Sequence, residues 1–169
     1  MALALSGAEG FTGTHFLAAA AARGTAPAAL RADLTDAHAV ADEVSRLAPT
    51  RFLHLAGMAF VGPADPRRLY EVNLLGTINL LEALCTLRVP PERIVLASSA
   101  QVYGNAEASP IAETAPASPA SHYAVSKLAM EQAAARYTDR LPIVIARPFN
   151  YTGPGQSTAF VVPKVVDHF

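Results

Sequence analysis

The feature that most constrains the fold is a glycine-rich turn between a short apolar run and a helical stretch. Residues 2–5 are apolar, which is typical of a buried parallel strand, and Gly7, Gly10 and Gly13 follow with the spacing G-x-x-G-x-x-G. A helical pattern then continues to about Arg23. Such a turn can accept a pyrophosphate, because backbone N–H groups and the helix dipole both favour negative charge. The alternative is an ordinary strand–helix turn, since the spacing differs from the common G-x-G-x-x-G fingerprint.

Further apolar runs alternate with helical stretches along the rest of the chain. Residues 51–57, 93–97 and 141–146 have the composition of buried strands, and helices follow the first two of them. Alternating strands and helices produce a parallel sheet. The predicted fold is therefore α/β, a Rossmann-like doubly wound parallel sheet. The length of 169 residues fits one domain, and residues 147–169 would form the start of a substrate-binding region.

Two interpretations of Asp33 remain open. It stands roughly 20 residues after the glycines, where a dinucleotide fold has an acid that binds the ribose 2′-OH. Alternatively, Asp33 and Leu34 end a later strand, and Asp36 caps the amphipathic helix that follows. In that case a strand–helix unit between Gly24 and Asp33 is missing or shortened.

A tyrosine and a lysine stand four residues apart at the start of a predicted helix. Residues four apart lie on one helix face, so Tyr123 and Lys127 can point at the same spot. A neighbouring cation lowers the pKa of a phenol, which then exchanges protons with an alcohol or sugar oxygen near neutral pH. Taken alone, such a pair is more often two surface residues that happen to stand four apart than a catalytic pair.

Several polar residues stand at predicted strand ends. Ser98 and Ser99 follow one strand, where serines either hydrogen-bond a substrate or act as turn residues. His54 falls inside an apolar run, so we expect a hydrogen-bonded core histidine and not a catalyst. The proline- and glycine-rich residues 147–156 suit a rigid substrate-facing loop.

Composition excludes several classes of function. The net charge is -1, so no basic surface indicates a nucleic acid or an anionic membrane as partner. No apolar run reaches the roughly 18 residues of a membrane span, and the start of the chain lacks the features of a signal peptide. The single cysteine, Cys85, fits a reducing compartment and a cytoplasmic protein.

Four motifs in order resemble one known family. They are Gly7-x-x-Gly10-x-x-Gly13, His54-Leu-Ala-Gly57, Ser98-Ser-Ala-Gln-Val-Tyr-Gly104 and Tyr123-x-x-x-Lys127. Together they resemble the extended short-chain dehydrogenases/reductases, which include nucleotide-sugar epimerases, dehydratases and reductases. The resemblance covers almost the whole chain, but it implies that most of a C-terminal substrate subdomain is lacking.

The resemblance implies a role for each matching residue. Ser99, Tyr123 and Lys127 would be catalytic, with Tyr123 as the acid/base, and Asn73 would support the active site. The cofactor, NADP or NAD, would be bound by Gly7, Gly10, Phe11, Gly13, Asp33, Leu34, Leu55, Ala56, Gly57, Tyr123, Lys127 and Pro148. Of these, Asp33 and Leu34 match the family's Asp-Leu step, so the resemblance implies that Asp33 lies against the adenine. The substrate would contact Ser99, Ala100, Asn150, Val162 and Lys164. No metal is expected.

The branch of the family follows from finer details. Dehydratases of this family carry an acidic residue after the catalytic serine or threonine, whereas Ala100 and Gln101 stand here. Residues 147–164 are similar to reductases of GDP-4-keto-6-deoxy-mannose, so we expect a reductase of a nucleotide-linked 4-keto-6-deoxy sugar. A UDP-hexose 4-epimerase and a non-catalytic nucleotide-binding module are the alternatives. The family also implies a homodimer.

Overall fold

The structure, a computed structural model, contains one parallel sheet with helices on both faces. It describes residues 2–59, 65–106 and 109–168. Within these residues, five strands lie in the order β2-β1-β3-β4-β5 and all neighbouring pairs are parallel. This confirms the predicted Rossmann-like α/β fold.

The elements follow one another as strand and helix from the first residues on. The strands are β1 Leu3–Ser6, β2 Ala28–Leu30, β3 Arg51–His54, β4 Arg93–Ala97 and β5 Ile143–Ala146. The helices are α1 Phe11–Ala21, α2 Ala37–Leu47, α3 Arg67–Tyr70, α4 Gly76–Cys85, α5 His122–Ala134 and α6 Val161–His168. A π-helical turn, Glu71–Leu75, joins α3 to α4, and 3₁₀ turns occupy Ala100–Tyr103 and Ala135–Tyr137.

The two faces of the sheet are covered to different extents. Because parallel crossovers are right-handed, the reversal of strand order after β2 places α1 on one face and α2, α4 and α5 on the other. The side chains under the second group, such as Phe52 and Ile94, are almost fully buried. On the face of α1, Val95 is only half-buried and Val144 on the edge strand is 39% exposed. The core therefore lies mainly under α2, α4 and α5.

One strand, β2, connects α1 to α2, and it pairs directly with β1. This agrees with the shortened strand–helix unit that the sequence suggests between Gly24 and Asp33. The helix α2 begins where the sequence predicts, because the side chain of Asp36 accepts a hydrogen bond from the backbone N–H of Ala39.

The last helix of the described residues, α6, accommodates a proline near its start. It starts at Val161, so that Pro163 lies within its first turn, where the missing N–H of proline has no intrahelical acceptor to lose. Among the described residues, no helix combines the length and the apolar character needed to cross a membrane.

Candidate active site

The glycine turn between β1 and α1 is closely packed against the next strand end. A Cβ atom on Gly13 would lie 2.0 Å from the carbonyl oxygen of Gly7, and one on Gly7 would lie 2.5 Å from the backbone nitrogen of Ala56. Gly7 also has a φ of +74°, which side chains disfavour. The backbone therefore requires glycine at both positions, as the sequence predicts.

This turn has the properties of a diphosphate site. Gly10 caps α1 without a side-chain hydrogen bond to the first backbone N–H groups, and the first turn contains no acidic residue. These N–H groups and the positive end of the helix dipole are therefore available to an anion. The side chain of Phe11 stacks on Tyr151, with ring centroids 6.1 Å apart, beside the turn. The residues present thus fit the diphosphate of a dinucleotide.

Gly57 lies directly over two polar side chains of the neighbouring elements. A Cβ atom there would lie 2.9 Å from Nζ of Lys127 and 3.1 Å from Oδ1 of Asn73. Asn73 is fully buried; its Oδ1 accepts from the N–H of Met58 at 2.8 Å, and its Nδ2 donates to Oγ of Ser126 at 3.0 Å. Asn73 therefore links the segment after β3 to α5, and it lies in the π-helical turn between α3 and α4.

The structure brings Ser99, Tyr123 and Lys127 together at the carboxyl ends of the strands. Ser99 follows β4 and caps the 3₁₀ turn, and Tyr123 lies in the first turn of α5, where the hydroxyl of Ser99 is close enough to lower the pKa of the phenol. Lys127 is 4% exposed, and its Nζ donates to the carbonyl oxygen of Ala97 at 2.9 Å. This arrangement links α5 to the strand end that carries Ser99.

The pKa of Tyr123 differs in direction from the sequence prediction. Burial raises the pKa above its usual 10.0, the hydrogen bond from Ser99 lowers it, and the nearby Tyr151 raises it. Burial also lowers the pKa of Lys127 to about 8. The prediction that the cation lowers the pKa of the phenol is therefore wrong for this arrangement. Loss of water around Tyr123 outweighs the effect of the hydrogen bond.

His54 is a hydrogen-bonded core residue, as expected. Its Nδ1 is 2.6 Å from Oγ of Ser6, and its Nε2 is 2.9 Å from Oγ1 of Thr77. Burial, with a smaller contribution from Lys127, lowers the pKa of His54 to about 3, so the imidazole is neutral at physiological pH. A proton-transfer role for His54 is therefore not supported.

A family model described as GDP-mannose 4,6 dehydratase matches residues 14–169. This match covers most of the chain, includes the last three of the four motifs and agrees with the fold. The chain belongs to this family of extended short-chain dehydrogenases/reductases. The family resemblance seen in the sequence is thereby confirmed.

Individual relatives are similar over nearly the whole chain. The GDP-6-deoxy-D-mannose reductase of Pseudomonas aeruginosa is 41% identical over 170 residues, which cover 95% of this chain and 55% of that protein. The structure of RMD from Pseudomonas aeruginosa complexed with NADPH has a TM-score of 0.88 at 38% identity, covering 99% of this chain and 60% of that one. The UDP-glucose 4-epimerase of Thermus thermophilus, solved with NAD, has a TM-score of 0.83 at 33% identity, covering 94% and 58%. The chain spans about half the length of the curated relatives that it matches, 47% and 55% in two cases.

The structure does not decide between the two interpretations of Asp33, so its role in cofactor binding stays a prediction. Asp33 follows the strand next to β1, as the ribose interpretation requires, and its carboxylate accepts two hydrogen bonds from Thr35, which lower its pKa. Leu34 is buried against Gly76, and its carbonyl accepts from Asn79, as the helix-cap interpretation requires. Both interpretations are therefore compatible with the backbone.

The predicted substrate residues divide into two groups. The N–H of Ala100 donates to the carbonyl oxygen of Pro148 at 2.9 Å, which places the loop after β5 beside Ser99, and the exposed Asn150 follows in this loop. Val162 and Lys164 are exposed on α6. Within the described part of the chain, Lys164 forms no hydrogen bond with the Ser99–Tyr123–Lys127 group. Leu55 and Pro148 line a cavity of about 420 Å³ on the face of α1.

A polar network next to the Ser99–Tyr123–Lys127 group was not predicted from the sequence. Oε1 of Glu131 accepts hydrogen bonds from Oγ of Ser98 and from Nε of Arg147, and Oε2 accepts from Nη2 of Arg147 at 2.6 Å. Nη1 of Arg147 donates to the hydroxyl of Tyr103 at 2.7 Å. The available signal was the spacing of Glu131, which stands four residues after Lys127 on the same helix face.

A contact between the glycine turn and the loop after β5 was also not predicted from the sequence. Oγ1 of Thr12 and the hydroxyl of Tyr151 are 2.6 Å apart, and Nε2 of His15 is 2.9 Å from the carbonyl oxygen of Pro154. Pairing between residues 139 positions apart leaves no local pattern in a sequence.

Proposed function

We propose that this chain carries the cofactor-binding and proton-transfer part of a nucleotide-sugar reductase. The enzyme would reduce the 4-keto group of a nucleotide-linked 6-deoxy sugar, of the GDP-4-keto-6-deoxy-mannose type, with NADPH or NADH. The observation that carries this proposal is the meeting of Ser99, Tyr123 and Lys127 beside the glycine turn. The 41% identity with a GDP-6-deoxy-D-mannose reductase supports the substrate class.

The glycine turn would hold the dinucleotide, with its diphosphate at the start of α1 and its nicotinamide towards Leu55, Gly57 and Pro148. When bound, this cofactor supplies the hydride. The buried ammonium of Lys127 would hydrogen-bond the ribose next to the nicotinamide. Asn73 keeps the ammonium under Gly57, because both side chains converge on that glycine. These residues orient the reacting groups and exclude water.

Tyr123 would donate the proton that the new sugar oxygen requires. Because burial raises the pKa of Tyr123, the phenol keeps its proton at neutral pH, which suits a donor in the reducing direction. Ser99 accepts a hydrogen bond from the N–H of Gln101, and its own hydroxyl hydrogen remains for a phenol or sugar oxygen. The arrangement would polarise the 4-keto group before proton transfer.

The residues after Ser99 favour reduction over dehydration. Water elimination across a sugar ring needs a carboxylate base in the motif after the catalytic serine, and Ala100 and Gln101 occupy these positions. The 4,6-dehydratase name of the family therefore describes other members better than this chain.

A UDP-hexose 4-epimerase is the second candidate. The same serine, tyrosine and lysine would serve it, and an epimerase of Thermus thermophilus shares the fold at 33% identity. Net consumption of NADPH or NADH would identify a reductase, whereas interconversion of two sugars without net consumption would identify an epimerase. A chain that binds the cofactor without turnover would be a nucleotide-binding module.

We propose a cytoplasmic homodimer, as the family implies. Leu75, at the end of the π-helical turn before α4, is 51% exposed, and Val125 on α5 is 38% exposed. Such a dimer would form through α5 and the helical segment that continues into α4, where these apolar side chains are available.

The test of the proposed function is Tyr123→Phe with a 4-keto-6-deoxy sugar nucleotide as substrate. Loss of the proton donor should lower turnover by about 100-fold or more, while cofactor affinity changes by no more than about 3-fold. Tyr137→Phe is a matched control, because that phenol is bonded to Glu82 on the helix α4 and away from Ser99. Equal turnover in wild type and Tyr123→Phe would refute the role of Tyr123.

A further inference from the structure

The ion pair between Glu131 and Arg147 joins three elements of the active site. Glu131 lies on α5, one turn after Lys127; Ser98 follows β4; and Arg147 follows β5. The carboxylate uses both oxygens and receives two bonds from the guanidinium, at 2.9 and 2.6 Å. A bidentate pair of this kind fixes distance and angle together, unlike a contact between two point charges.

The surroundings of the pair make its geometry rigid. Ser98 and Glu131 are 3% and 9% exposed, and the side chain of Arg147 is 27% exposed. The guanidinium carbon lies 4.9 Å from the ring centroid of Tyr103, and Nη1 donates to the hydroxyl of the same residue at 2.7 Å. The hydrogen bonds to Glu131 are the main reason that the pKa of Arg147 is raised, so the pair stays charged.

The strand end that carries Ser99 is attached to α5 at two successive residues. The carbonyl oxygen of Ala97 accepts from Nζ of Lys127 at 2.9 Å, and Oγ of Ser98 donates to Glu131. Ser99 is the next residue, so its position relative to Tyr123 depends on these two attachments. Arg147 holds the second attachment in place, because it donates to both oxygens of the carboxylate.

We propose that Glu131 and Arg147 are positioning residues that set the distance between the hydroxyls of Ser99 and Tyr123. Neither touches the reacting atoms; each acts through Ser98 and the helix α5. This inference rests on the proposed function for its kinetic consequences, whereas its structural consequence, the separation of Ser99 and Tyr123, is measurable without any substrate through the pKa of Tyr123.

The decisive variant replaces both members of the pair by apolar residues, Glu131→Leu with Arg147→Met. Breaking a buried pair on one side only leaves an uncompensated charge, but an apolar pair often restores stability. We expect each single variant to lower the melting temperature and the double variant to recover most of that loss. If the pair only stabilises the fold, activity and active-site geometry recover together with the melting temperature.

A positioning role predicts a different result for the double variant. Its turnover number should fall by about 100-fold, the loss typical of a misplacement of about 1 Å, while the KM for the cofactor stays within about 3-fold of wild type. The pKa of Tyr123 should rise further, because the hydrogen bond from Ser99 that lowers it is weakened. Recovery of turnover and an unchanged pKa of Tyr123 would overturn the proposal.

The pKa of Tyr123 is measured by NMR with carbon-13-labelled tyrosine, and Tyr123→Phe assigns the signal. The other titratable groups around this site are Lys127 on the same helix, Tyr151 in the loop after β5 and His54 on β3, and all are unchanged in the variants. The titration needs no substrate. Absence of turnover in the wild type would therefore count against the proposed function, while the titration still decides the positioning role.

A conservative variant covers the case in which the double variant does not fold. Arg147→Lys keeps the positive charge but loses the second hydrogen bond to the carboxylate. A lower turnover number and a higher pKa of Tyr123 at a near-normal melting temperature support positioning. Wild-type values of both quantities contradict it.

Discussion

Replacement of Lys127 by methionine should stabilise the fold, although the lysine is central to the proposed chemistry. The ammonium is 4% exposed, and it donates a hydrogen bond to the carbonyl oxygen of Ala97. Burial lowers its pKa from 10.5 to about 8. Since one pKa unit corresponds to about 1.4 kcal/mol, the charged form costs the folded state about 3 kcal/mol at neutral pH. Methionine has a similar length and removes this cost.

The pH dependence of this effect has a defined sign. Below pH 8 the lysine is protonated in both the folded and the unfolded chain, so the advantage of Lys127→Met is constant. Between the folded pKa of about 8 and the unfolded value of 10.5, the unfolded chain binds more protons, and the wild type gains stability with rising pH. The advantage of methionine should therefore shrink by about 3 kcal/mol across this window.

Urea unfolding of both proteins from pH 7 to pH 10.5 measures the difference. Tyr123 and Tyr137, whose pKa values are raised, and Cys85 are present in both proteins, so their titrations largely cancel. The absolute advantage also depends on how well methionine packs, but its pH dependence does not. A difference in the free energy of unfolding that stays constant from pH 7 to pH 10.5 would refute the reasoning.

Two further substitutions test the glycine turn and the start of α2. Gly13→Ala places a methyl group 2.0 Å from the carbonyl oxygen of Gly7, so we expect a loss of about 2 kcal/mol or more and at least about 10-fold weaker dinucleotide binding by calorimetric titration. Unchanged stability and binding would mean that the turn adjusts easily. Asp36→Ala removes the cap bond to Ala39 and should cost about 1 kcal/mol in urea unfolding. The exposed Asp42→Ala on the same helix should cost less than about 0.5 kcal/mol, and equal losses would contradict the capping role.

The sequence was most informative where function depends on local spacing. The glycine turn, the serine after β4 and the pair of Tyr123 and Lys127 all lie where their spacing predicts, because each is defined within one turn or one helix face. The parallel sheet follows from the alternation of apolar runs and helices. These features could be predicted without tertiary information.

The remaining features depend on contacts between distant parts of the chain. The direction of the pKa change at Tyr123 depends on burial and on Tyr151, and neither is visible from the four-residue spacing to Lys127. The bond between Glu131 and Arg147 requires that α5 packs beside the carboxyl end of β5. Local patterns identify the residue types at such sites, whereas only the packed structure gives their partners and their charge state.

The helices α3 and α4 form one continuous long helix, which the π-helical turn at Glu71–Leu75 interrupts. The side chains of the two segments therefore follow different rotational positions around the helix axis. An α-helix turns by about 100° per residue, so the wider turn rotates every later side chain relative to the pattern set by α3. The segment after the turn packs α4 against α2, and the turn itself carries Asn73 into the active site. The side-chain directions of α3 and of α4 are therefore set independently, and α4 keeps its packing against α2 whatever face α3 buries through Leu69.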